Sequence, residues 1–350
     1  MSDTHLGFKA YDSNKRSEEA LDMFDMAVEL LYNDSIRTVF IPGDLTDDTT
    51  LPNWLEKRLV ATLRRFHDVE FVIDGGNHDS TKTYSSVSQL DVLAELDNVT
   101  VINNFKVEYG ETNGITWTAV PHMRSQKEFL AAVQSLHQGL RTDVLMIHCM
   151  VDSRLDLGPN DLNIDSITLS KLAPCFGNIW VGHQHVPVEL APNMHIPGSM
   201  LELNFGELGE RNVYTCDGNG VIQTIALPQP RQMIRVDEDW VDLTRLFTIL
   251  ESMFPQAIYK LTLKHVPHEQ YSQASAAVEN FAATFKGDLV WDLLKTGHID
   301  VEISTIDAHF DLLMEFDQFA LDNKVDDPIM RDMLEDAIAA VSSEEEDLLI

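Results

Sequence analysis

Apolar residues recur at helical spacing over residues 17–32, where Leu21, Phe24, Ala27, Val28 and Leu31 share one face. Ser17 suits the N-cap of that helix, and Glu18 and Glu19 place negative charge in its first turn. Residues 36–41 then form a short apolar run, the mark of a buried strand. A second amphipathic stretch, with Trp54, Leu55, Leu59, Leu63 and Phe66, leads into another such run at 71–73. This alternation predicts βαβ units and a largely parallel sheet with right-handed crossovers. Further strands are predicted at 99–102, 105–109, 115–120, 144–147, 179–181 and 213–215.

The pattern changes around Pro228 and Pro230. A helix near 240–253, a strand at 258–263, a helix over 271–285 and a strand at 290–294 predict a small α+β unit. Two acidic amphipathic helices follow Ser304. The second starts at Asp327 and Pro328, which suit its N-cap and first position. Met330, Met333, Leu334, Ala337, Ile338 and Val341 then make one apolar stripe. The expected organisation is therefore a main domain over 1–228, an α+β unit over 229–304 and an acidic helical tail over 305–350.

The 350 residues are 44% apolar, enough for a large core and a smaller one. No apolar run approaches the length of a bilayer span, and Met1-Ser2-Asp3 opens no signal-peptide pattern. A cytoplasmic location, without membrane attachment, is the expectation. Cys149, Cys175 and Cys216 are odd in number and form no CxxC spacing, so they read as small buried hydrophobes. The net charge of −32 counts against a generic DNA-binding surface, because non-specific affinity comes from Lys and Arg. The acid is uneven: 16 Asp or Glu fall in residues 299–350 against Lys324 and Arg331 alone. Contact with nucleic acid would need a local patch, bridging metal ions or a partner.

Five short segments carry the candidate chemistry. They are Asp3-Thr4-His5, Gly43-Asp44-Leu45-Thr46-Asp47, Gly76-Asn77-His78-Asp79, His148, and Gly182-His183-Gln184-His185. All but the first fall at the C-terminal end of a predicted strand, and in a parallel sheet those ends share one edge where ligands gather. Imidazole, carboxylate and amide oxygen without thiolate suit Mn²⁺, Fe or Zn²⁺. A carboxylate such as Asp44 has two oxygens and can bridge two cations. Taken singly, the pieces say little: an Asp-x-His is most often a surface loop, and a Gly-His-x-His could hold one metal. Five in this order on strand ends are hard to obtain by chance.

The set resembles the signature of calcineurin-like metallophosphoesterases: D-x-H, G-D-x-x-D, G-N-H-D, a single H, then G-H-x-H. The resemblance covers roughly residues 1–225. It implies an α/β fold, a metallophosphoesterase β-sandwich flanked by helices, with a small α+β cap and C-terminal helices. It also implies two divalent metal ions, Mn²⁺ first, with Mg²⁺, Fe or Zn²⁺ as other occupants. Asp3, His5, Asp44 and His185 would hold one ion. Asp44, Asn77, His148 and His183 would hold the other. His78 would face the scissile phosphate as acid or charge stabiliser, with Asp79 orienting it.

Ser2-Asp3-Thr4-His5-Leu6-Gly7, and Pro197-Gly198-Ser199 leading to Asn204-Phe205-Gly206-Glu207, are similar to the SbcD-type DNA repair nuclease subunits of phages and bacteria. That branch implies exonuclease or endonuclease action on DNA in repair, recombination or replication. It implies an SbcC-like ABC-type ATPase partner docking on the tail helices, and a homodimer within a heterotetramer. A general metallophosphatase, a cyclic-nucleotide phosphodiesterase and a non-catalytic scaffold for the ATPase are the alternatives. In the family an apolar strand directly precedes D-x-H, whereas here only Met1 and Ser2 do, so a start upstream of Met1 is expected. The branch usually has His where Asp47 stands. His122 reads as a structural or rim residue. Lys9, Lys15, Arg16, Lys82 and Arg124 follow strands or site motifs and read by default as solvated cations.

Overall fold

The computed structural model describes residues 1–10, 15–81, 87–136, 141–152, 161–218, 220–240 and 243–295. The chain divides into two compact units, Met1–Leu294 and Lys295–Ile350. The predicted acidic helices, the stripe from Met330 to Val341, and Lys82 lie outside the described residues.

Two sheets build the larger part of the first unit. One is three-stranded and parallel, in the order β1 (Thr38–Pro42), β2 (Glu70–Asp74), β3 (Val99–Ile102). The other has six strands. Its members are β4 (Glu108–Thr112), β5 (Ile115–Val120), β6 (Thr142–His148), β9 (Phe176–Gly182), β10 (Val188–Ala191) and β11 (Met194–Ile196), in the order β10-β11-β9-β6-β5-β4. The β7 (Met150–Val151) and β8 (Asn163–Ile164) strands pair in the loop between β6 and β9. A hairpin of β12 (Arg211–Cys216) and β13 (Ile222–Leu227) follows.

The two-residue period of a strand explains why the sheets stack. In β1, Val39 and Ile41 face the helices α1 (Lys15–Asn33), α2 (Asn53–Arg65) and α3 (Gln89–Leu93), while Phe40 faces the other way. In β6, Leu145 and Ile147 face α4 (Gln126–Leu136) and α5 (Ser166–Ser170), while Val144 and Met146 turn inward. Val72, Ile102, Trp117, Met146 and Trp180 fill the space between the sheets. The result is a β-sandwich with helices on both outer faces, so each central strand needs apolar residues at successive positions.

A third core belongs to the α+β elements: β14 (Met233–Asp239), α6 (Leu243–Met253), β15 (Ile258–Val266), α7 (Tyr271–Thr284) and β16 (Asp288–Lys295). Leu261, Leu263, Val278 and Phe281 are among its buried residues. Arg231 pins these elements to α1, pairing with Glu19 and, at 2.6 Å, with Asp288.

Three local readings are corrected. The strand predicted at 105–109 begins only at Glu108, because Asn104 accepts the Lys106 N–H and Phe105 takes a left-handed φ of 59°. Ser17 does not cap α1; it lies inside the helix and donates to the Phe8 carbonyl at 2.7 Å. Arg16 is no solvated cation, since it is buried against Glu19 and the Glu202 carbonyl.

Candidate metal centre

The segment 2–6 has no named strand, yet it is laid along the loop after β1. Asp3 N–H donates to Gly43, His5 N–H to Asp44 at 3.1 Å and Leu6 N–H to Leu45 at 3.0 Å. Ser2 forms a parallel bridge with Ser199 on its other side. Asp3 and His5 are thereby fixed beside Asp44. The Ile147–Val181 and His148–Gly182 pairings between β6 and β9 then place His148 next to the turn bearing His183 and His185.

The backbone is strained where these residues stand. Asp3, His5, Asp44 and His183 all have positive φ, between 44° and 90°. Non-glycine residues hold that conformation at a cost of about 1–3 kcal/mol each. Gly43, with φ of 92°, has no alternative, because a Cβ there would strike the His148 ring.

The ring nitrogens show what the cluster is built to hold. His185 directs Nδ1 to Glu207 at 3.0 Å, and His5 directs Nδ1 to Asp47 at 2.9 Å. With both outer nitrogens donating to carboxylates, both Nε2 atoms carry lone pairs, and these face each other at 3.1 Å. Two nitrogens at that distance need either a shared proton or a metal cation between them. His148 repeats the arrangement: Nδ1 donates to the Pro42 carbonyl at 3.0 Å. Its Nε2 faces the Asn77 Oδ1 at 2.9 Å and Asp44 at 3.3 Å. His183 Nδ1 also meets Asn77 Oδ1, at 2.8 Å.

Among the described residues three groups bring their donor atoms within 4.8 Å of one another: Asp3, His5 and His185; His5, Asp44 and His78; Asp44, His148 and His183. Asp44 joins the last two, with its Oδ2 3.3 Å from His148 and 3.7 Å from His5. The donor set and its convergence fit a pair of cations. All seven residues expected as ligands come together here, with Asp3, His5, Asp44 and His148 buried.

Charge follows the same plan. Burial alone would lower the His148 imidazolium, but Asp44 beside it outweighs this and lifts it to about 10. Burial likewise opposes the Asp44 carboxylate, yet His148 and its neighbours hold it well below its ordinary range. His183, buried beside that positive ring, is pushed down to about 3. Where no cation is present, a proton on His148 takes its place.

His78 is exposed at the rim, its ring edge-on to His5 with centroids 4.8 Å apart. Its Nδ1 donates to the Asp47 carbonyl at 2.9 Å. The expected partner, Asp79, does not play that part. Its carboxylate is buried and accepts from the backbone N–H groups of Gly76, Leu45 and Thr46. It ties the two ligand loops together. Burial and the nearby Asp44 push it up to about 7, against the pull of those N–H groups. Asp47 and Glu207 are the residues that sequence reasoning missed as supports. Glu207 stood in a stretch singled out for another reason, and Asp47 stood inside a motif without a role. A cavity of about 630 Å³ elsewhere, between residues such as Phe40, Trp180 and Tyr214, is lined by none of the residues of this cluster.

No family profile matches the chain. It is similar to the DNA double-strand break repair protein Mre11 of Sulfolobus acidocaldarius, with 29% identity over 41% of this chain and 41% of that one. Mre11 of Saccharolobus solfataricus is 26% identical over 53% and 48%, and Mre11 of Thermoplasma acidophilum 22% identical over 68% and 67%. The chain thus spans 40–48% of the length of the first relatives it matches. Together with the sandwich and the seven converging residues, these likenesses indicate the calcineurin-like metallophosphoesterase superfamily, with similarity to its SbcD/Mre11-type proteins.

Proposed function

We propose that this chain is the nuclease subunit of a DNA repair complex, hydrolysing phosphodiester bonds with two Mn²⁺ ions. The observation that carries the reading is Asp44, whose carboxylate is shared between the two ends of one ligand cluster. Asp3, His5, Asp44 and His185 would hold one ion, and Asp44, Asn77, His148 and His183 the other. When bound, two such ions supply an activated water and neutralise charge on the phosphoryl oxygens. His78, anchored through Nδ1, keeps Nε2 for the leaving oxygen and in its imidazolium form gives it a proton that water then restores. Asp47 holds His5 and His78 in register, and Asp79 fixes the spacing of their loops.

The similarity to Mre11 supports DNA as substrate. The relevant partner is an SbcC-like ABC-type ATPase, docked by residues 305–350, with the chain acting as a homodimer within a heterotetramer in the cytoplasm. Residues 229–304 serve as the cap. Among the described residues no helix is long and apolar enough to cross a membrane. The net charge of −32 and Asp47 in place of the usual His favour a second reading, a metallophosphatase acting on small phosphodiesters. Cleavage of linear duplex DNA in Mn²⁺ separates the two. The nuclease reading expects cleavage that Asp44→Asn and His78→Ala abolish. Hydrolysis of bis-p-nitrophenyl phosphate without DNA cleavage, tested with the ATPase present, would leave the small-substrate reading.

A further inference from the structure

Among the described residues, His122 is the one imidazole near the candidate cluster that this chemistry has not used. The β5–β6 register sets Val120 opposite Ile147, so residues just past Val120 stand on the same sheet edge as His148. The His122 N–H donates to the Gly75 carbonyl at 2.7 Å. That bond ties it to the loop carrying Asn77 and His78, across from the other sheet. His122 therefore bridges the rim between the two sheets. The ring is half-buried, and it feels the charges of His148, Asp44 and His78. It belongs to none of the groups able to hold a metal among the described residues. Nor does its side chain make a hydrogen bond to any of them. Its ring nitrogens are not among the buried, unpartnered polar atoms of the described residues, so they are open to solvent and to an incoming oxygen. Burial and the neighbouring positive ring push it down to about 4, so it is neutral at neutral pH, and bound cations would push it the same way.

We propose that His122 is a substrate-contacting residue: its neutral imidazole donates a hydrogen bond to a non-bridging phosphoryl oxygen of the phosphodiester. This rests on the phosphoesterase reading above. A neutral donor suits the place. It can bind the oxygen without competing with a cation for charge, and it cannot repel the ions beside it. It also sets the phosphate's orientation relative to His78, because both residues hang on the Gly75–His78 loop.

The test uses the full chain loaded with Mn²⁺, with His122→Ala and His122→Gln. Calorimetry gives Mn²⁺ affinity and stoichiometry, then the affinity for inorganic phosphate. Hydrolysis of bis-p-nitrophenyl phosphate gives kcat and KM. The proposal expects unchanged Mn²⁺ binding and thermal midpoint, with phosphate affinity and kcat/KM reduced about 5- to 100-fold in the alanine variant. Glutamine, which keeps a donor, restores most of the loss. Phosphate affinity equal to wild type in His122→Ala would overturn it, as would a loss that merely follows a loss of Mn²⁺. Wild-type protein that binds phosphate through His122 yet cleaves no phosphodiester would refute the proposed function and leave this contact standing.

Discussion

His148, His185 and His5 each spend Nδ1 on an oxygen outside the cluster, and that choice leaves each Nε2 a lone pair directed inward. The supporting oxygens should therefore matter nearly as much as the ligands. Asp47→Ala is expected to weaken Mn²⁺ binding about 10- to 100-fold, and Glu207→Gln to do the same more mildly. Calorimetric titration of each variant checks this. Asp47→Ala keeps the backbone carbonyl that accepts from His78, so kcat at saturating Mn²⁺ should change little. The proton on His148 gives a pH dependence with a definite sign. Without metal this ring stays protonated up to about 10, so binding must displace the proton. Mn²⁺ affinity should rise with pH, by up to about one decade per unit from this ligand alone, and release a proton that buffer-dependent calorimetry detects. An affinity flat between pH 6 and 8 would contradict the assignment of His148 as a ligand.

At the scale of elements, the site depends on loops whose backbones could not relax elsewhere. Gly43→Ala puts a methyl group where the His148 ring stands and forces an alanine into a φ of 92°. One of the two Mn²⁺ sites should be lost, while the fold survives with reduced stability; metal stoichiometry and a melting curve read both. Arg231 does a different task. It holds β16 against α1 through Glu19 and Asp288, with only 8% of its side chain exposed. Removing it leaves Glu19 paired with Arg16 and Asp288 with Lys15 at 3.8 Å, so Arg231→Ala should cost about 1–3 kcal/mol in denaturant unfolding and leave Mn²⁺ affinity intact. These elements were unevenly legible in sequence. The runs at 36–41, 71–73, 144–147 and 179–181 announced themselves because strands covered on both faces are continuously apolar. The hairpin of β12 and β13 was only half seen, and β10, β11 and β14 were missed, because short half-exposed strands such as 188–191 carry no such run. Asp79 was misread because adjacency in sequence suggested a pair with His78. The turn instead aims its carboxylate at buried N–H groups, which need acceptors more than the exposed ring does.

For the whole molecule, the sandwich gathers residues 3 to 207 along one edge. Segments that meant little singly become one cluster there. The order of those segments made the residues that converge here readable from the amino acids alone, since their types, and for all but Asp3 and His5 their places at strand ends, were visible. The carboxylate supports, the left-handed ligands and the His122 bridge were not readable, because they depend on which loop faces which across the two sheets. The acidity of the chain also takes on meaning at this scale. A protein of net charge −32 would hold a phosphodiester best where cations are concentrated, and the proposed metal pair would concentrate them at one point. The most direct test is an anomalous difference map from crystals grown in Mn²⁺. The account predicts two manganese peaks per chain, about 3.5–4 Å apart, with Asp44 touching both. A single peak, or two that do not share Asp44, would contradict it.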